Sequence, residues 1–221
     1  MQEKLVGLYL RLNGFFQTGL IVHSEVKGRN RTELDRIAVR FPNHRQEDRQ
    51  VDLCPKLVIP PSVIELLIVE VKNTKLVFND VLHDKSKNAE ANWYKILSWA
   101  GLLPEDQIER VTSLLIESLI NGKAGQFETV VAENAAMGIQ IKPLLICVEG
   151  SGEYIESGGI TGQDIIDYIW MCLCPQVPRG TCSVKYDLKL WGDEFEHLIT
   201  FFKGSEAKPT LSAFYTHFNI S

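Results

Sequence analysis

Long apolar runs are missing from this chain of 221 residues. None approaches the roughly 20 residues needed to span a bilayer. Charge interrupts the N-terminal stretch MQEKLVGLYLRLNGFF every few residues, so no signal peptide is predicted there. These two absences predict a cytoplasmic protein with no membrane partner. Cysteine is scarce and odd in number, at five, with no CxxC pair, which points to free thiols in a reducing setting. Cys172 and Cys174 with distant Cys182 fall short of the four ligands of a zinc site. No strand-GxxxxGK[ST]-helix arrangement is present, which argues against a P-loop. No GxSxG elbow surrounds Ser151, although it follows a predicted strand. Internal repeats and low-complexity segments are absent too.

What remains is ordinary globular composition, 45% apolar and 23% charged, in a length that fits one domain. The net charge of −5 argues against a general nucleic-acid binder, but its distribution softens that objection. Residues 1–100 hold 15 basic and 12 acidic side chains; residues 101–221 hold 8 and 16. The densest basic stretch contains Lys27, Arg29, Arg31, Arg36, Arg40, Arg45 and Arg49, and it surrounds Asp35. A basic collar around an acid suits a polyanionic substrate; a solvated arginine-rich loop would give the same composition.

Periodicity supplies a coarse map. Leu5, Leu8, Tyr9 and Leu12 predict a helix over 2–13, stopped at Asn13-Gly14. Strands are predicted at Phe16–Val26, Glu33–Phe41 and Val63–Lys72. Strict alternation in the second would place Asp35 with Ile37, Val39 and Phe41, opposite Leu34, Arg36, Ala38 and Arg40. The connection Pro42–Ser62 is long and has room for a short strand near Val51–Val58. Helices follow at Ala89–Ala100 and from Pro104-Glu105 to about Ile120, then a short strand at Pro143–Val148. Further helices are predicted at Thr161–Cys172 and Asp193–Lys203, while Phe127–Ile141 gives no clear signal. This order predicts an α/β fold around a mixed sheet. One domain is expected, with its core in 1–78 and 143–173, a helical insertion near 85–125 and an extension over 175–221.

The run Val63–Lys72 (VIELLIVEVK) is almost wholly aliphatic until Glu70. Glu70 and Lys72 share one face of a strand, with Val71 on the other. An acid and an amine ending a buried strand require a partner, because unpaired buried charge is costly. With a second carboxylate from Asp35, the set offers oxygen ligands to a hard cation, and Lys72 lies beside them to assist a reacting water.

At these residues the chain resembles the PD-(D/E)xK nuclease superfamily, the restriction-endonuclease-like fold. The resemblance rests on a first helix bearing Glu3 and ending in Asn13-Gly14-Phe15, on Glu33-Leu34-Asp35-Arg36-Ile37-Ala38, and on Ile68-Val69-Glu70-Val71-Lys72. It covers roughly residues 1–75 and is closest to Holliday-junction-resolvase-like members. It implies a restriction-endonuclease-like mixed sheet flanked by helices, with a helical elaboration in the second half. It also implies Mg2+ or Mn2+ held by Asp35, Glu70 and the Val71 carbonyl, a catalytic Lys72, and Glu3 as a nearby acid. Arg29, Arg31 and Arg36 would then contact the phosphates of a nucleic-acid substrate, DNA in the first instance. Many enzymes of that fold are dimers, so a homodimer is compatible.

The 34 residues between Asp35 and Glu70 exceed what compact resolvase-like members use, and they contain Asp48 and Asp52 as alternative partners for Glu70. A non-catalytic module on the same fold, binding protein or nucleic acid through its acidic second half, is the rival expectation.

Overall fold

A computed structural model describes residues 1–24, 26–46, 50–57, 60–133, 137–177 and 192–220. Five strands form one mixed sheet in the order β1-β2-β3-β5-β4: β1 (Phe16–His23), β2 (Asn30–Arg40), β3 (Ile64–Lys72), β4 (Val130–Glu133) and β5 (Gly138–Cys147). The pairs β1/β2, β2/β3 and β4/β5 are antiparallel; β3 and β5 are parallel. This is the α/β class with a mixed, helix-flanked sheet that the sequence predicts.

Strand β3 is central and covered on both faces, which is why it reads as a continuous apolar run rather than an alternating one. Leu67, Val69 and Val71 face one core, with helices α1 (Gln2–Leu12), α5 (Gly162–Leu173), α6 (Asp193–Gly204) and α7 (Leu211–Phe218). Ile64, Leu66 and Ile68 face the other, with α2 (Ala89–Ala100) and α3 (Glu105–Asn121). Trp93 of α2 is fully buried there and donates its indole N–H to the Leu82 carbonyl at 2.7 Å, as a buried tryptophan requires.

The chain after β5 is anchored by one side chain. The hydroxyl of buried Tyr154, in the short helix α4 (Glu153–Glu156), accepts from the amides of Cys147 and Ile160 and lies 3.0 and 2.8 Å from the carbonyls of Leu145 and Ile160. Thr161 then opens α5 as a complete capping box with Asp164. Removing such a cap costs about 1 kcal/mol. Thr161→Ala is therefore expected to lower the melting temperature by about 2–4 °C, measured by circular dichroism.

Several sequence expectations need revision. No strand forms at Val51–Leu57; a 3-10 turn lies at Pro55–Leu57 instead, and Val58 lies outside the described residues. The unclear stretch Phe127–Ile141 supplies β4 and the first half of β5. Strand β4 is only four residues long, and its ladder stops at Ile141, two residues before Pro143, which has no N–H to offer. Helix α7 was not predicted, because its eight residues are too few to show a periodic pattern.

Candidate active site

The C-terminal end of β3 meets the N-terminal half of β2, because the two strands run antiparallel. Their ladder ends at Arg36↔Val69. Beyond that pair the strands part into a fork, and the Val71 N–H, with no β2 carbonyl opposite, donates to the Asp35 carboxylate at 2.7 Å. A strand residue sends its N–H and C=O to the same edge, so the Val71 carbonyl also leaves β3 toward the fork.

A β-bulge aims Asp35. Thr18 pairs with Ile37 and Leu20 with Leu34, so Gly19 alone opposes both Asp35 and Arg36. Two residues against one break the alternation of side chains. Leu34 and Ile37 consequently share the α2/α3 core, with Val39 packed against it. The strict alternation predicted from sequence, which set Leu34 opposite Ile37, is corrected by this extra residue. The isolated glycine in β1 was the available signal, since glycine inside a strand often marks a bulge.

Glu70 is only 3% exposed. One of its oxygens pairs with the Lys72 ammonium at 2.5 Å; the other, Oε2, is buried with no hydrogen-bond partner among the described residues. Burial pushes its carboxyl above the ordinary value; the Lys72 hydrogen bond opposes this, and the nearby charges of Asp35 and Glu3 add to it. Asp35 is likewise pushed up by burial, against the Val71 amide, Lys72 and Arg36. Asp35, Lys72 and Glu3 thus all lie within electrostatic reach of Glu70 at one end of the sheet.

Among the described residues, no three His, Cys, Asp or Glu side chains converge as a metal cluster. Mg2+ needs no such cluster: one or two carboxylates with waters and a substrate phosphate are its usual set. The fork offers hard oxygens only, and the orphaned Glu70 Oε2 is a buried acceptor that a cation would satisfy. The residues therefore fit Mg2+ or Mn2+.

The arginines divide. Arg29 and Arg31 lie at the β1–β2 turn and the start of β2, at the fork end of the sheet; Arg29 is exposed and Arg31 half-buried. Arg36 is buried and engaged: its Nε donates to the Glu3 carbonyl at 3.2 Å, and its guanidinium pairs with Glu194 at 2.7 Å. This removes it from the phosphate-contacting set. Arg40 pairs across to Glu65 at the opposite end of the ladder, so the predicted collar does not close around Asp35: an extended strand carries its arginines apart at about 3.3 Å per residue.

Asp52 is set aside on similar grounds. Its carbonyl accepts from Tyr168, and the neighbouring Cys54 amide donates to Asn13, at the C-terminal end of α1. Glu3 sits at the other end of that eleven-residue helix, about 16 Å away. Asp48, Arg49 and Cys182 lie outside the described residues. Cys172 and Cys174 form no disulfide among the described residues.

Sequence reasoning missed the acids and hydrogen bonds that later elements bring to this end. Glu149 follows β5, its amide bonded to the Asn73 carbonyl; its carboxylate accepts from Tyr215 of α7, whose hydroxyl also accepts from Gln2. No local pattern links residues 2, 149 and 215. No helix among the described residues is long and apolar enough to cross a membrane. No protein-family model, curated protein or solved structure matches this chain.

Proposed function

We propose that the fork between β2 and β3 is the active site of a Mg2+- or Mn2+-dependent phosphodiester hydrolase acting on nucleic acid, DNA in the first instance, on a restriction-endonuclease-like fold. The observation that carries this reading is the buried Oε2 of Glu70, with no partner among the described residues, set beside Asp35 and Lys72 where the sheet opens. Asp35, Glu70 and the Val71 carbonyl would hold the cation. When bound, the ion supplies a water of lowered pKa and charge stabilisation at phosphorus. Lys72, one-third exposed at its side chain, reaches from the protein into solvent. There it can orient the attacking water and offset charge on the phosphoryl oxygens. Arg29 and Arg31 offer phosphate contacts from the same end, a contribution that falls with salt. Glu3 acts as a neighbouring acid.

A rival reading, a binding module without catalysis, draws on the acids Glu3, Glu33 and Glu149 around the same opening and on the −8 balance of residues 101–221. Calorimetric titration with MnCl2 separates the two. Wild type is expected to bind Mn2+, and Asp35→Asn to weaken that binding by at least about tenfold. Absence of any Mn2+ binding by wild type would favour the module.

A further inference from the structure

Arg36 forms the other half of the bulge that carries Asp35. Its guanidinium is held on two sides by separate elements: the Glu3 carbonyl of α1 and the Glu194 carboxylate in the first turn of α6. A third side is closed by Gly7. A Cβ at that position would lie 3.2 Å from Nε and 3.3 Å from Cζ. Glycine within a helix is unfavourable relative to alanine, and here the missing side chain makes room for a cation. A buried charge of this kind depends on keeping its partners.

We propose that Arg36 is a positioning residue: wedged between α1 and α6, it fixes the bulge that turns Asp35 toward the Val71 amide and so couples the fork to the C-terminal helices. Displacement of the Glu194 end, by a bound partner or a change in the 192–220 segment, would release Asp35 from the Val71 amide. The coupling stands on the geometry of Gly7, Arg36 and Glu194; its consequence for cleavage rests on the nuclease reading.

Hydrogen exchange of the Val71 amide, followed by NMR on the full chain without metal, tests it. The hydrogen bond to the Asp35 carboxylate protects that amide, and Asp35→Ala sets the floor. Arg36→Met is expected to lower Val71 protection by about tenfold or more, since a bond to a charged acceptor is lost. Leu66 and Leu67, inside the ladder, should keep theirs. Glu194→Ala and Gly7→Ala, which spare the arginine itself, should move Val71 the same way by a smaller factor, and they carry the test if Arg36→Met does not fold. Unchanged Val71 protection, or a parallel loss at Leu66 and Leu67, would overturn the proposal. Failure of wild type to bind Mn2+ would remove the nuclease reading and leave this result standing.

Discussion

Lys72→Ala is expected to lower Mg2+-dependent cleavage of DNA by roughly 10²–10⁴-fold, the range for a single group that moves a proton or offsets transition-state charge. Binding of Mn2+ and the circular dichroism spectrum should survive, because the carboxylates and the Val71 carbonyl remain. The substitution also strips Glu70 of its lysine partner. Burial already holds that carboxyl above its ordinary value, and the Lys72 hydrogen bond is what pulls it back. In the variant Glu70 keeps its proton to higher pH, so Mn2+ binding should require more alkaline conditions than in wild type. Undiminished cleavage would sink the assignment of Lys72. The metal-free protein has a matching pH dependence. Asp35 and Glu70 both titrate above their unfolded values, so the stability they contribute is complete at acid pH and lost as pH rises through the folded values. A divalent cation should therefore raise the melting temperature more at pH 8 than at pH 5.

Glu65→Gln is expected to have the largest effect on stability. Glu65 sits on β3 as Glu70 does, 2% exposed, with an oxygen that has no hydrogen-bond partner among the described residues. It has no lysine two residues on. Burial lifts its carboxyl to about 7, against the pull of Lys142 and Arg40. A raised carboxyl favours the fold below its unfolded value near 4.5, and that contribution disappears as pH climbs through about 7. At one pKa unit per 1.36 kcal/mol, and allowing for the neutral partner it leaves to Arg40 and Lys142, replacement with a neutral amide should gain about 1–3 kcal/mol at pH 8. That corresponds to a melting temperature about 3–10 °C higher, with no gain at pH 4. Thermal melts of both proteins between pH 4 and 8 decide it. A wild-type slope that persists in Glu65→Gln would show that another group carries it.

These two glutamates also show where local sequence runs out. Both interrupt the same greasy strand, and position alone marks Glu70 because Lys72 follows it. The class of fold, the central strand and the helices at 89–100 and 105–121 were legible because each rests on a long local pattern. The helix that opens at Thr161 was legible for the same reason. Strand β4 was not: four residues carry too little alternation, and only pairing with β5 makes them a strand. Nor was the fate of Arg36. In sequence it is one of seven basic residues in a run; in the fold its neighbours come from residues 3, 7 and 194. Asp35 was found for its local context, but its orientation depends on one residue too many between Leu34 and Ile37.

That extra residue bears on which changes in length this chain tolerates. Residues 26–29, between β1 and β2, are exposed, and residues can be gained or lost there at little cost. Within β2 the count is fixed. Deleting one residue between Leu34 and Ile37 would remove the bulge opposite Gly19 and leave the second irregularity, at Val22/His23, giving a more regular sheet. It would also take away the irregularity that holds a carboxylate at the fork. Departures from local regularity are kept chiefly at functional sites, and the proposed site lies at this one.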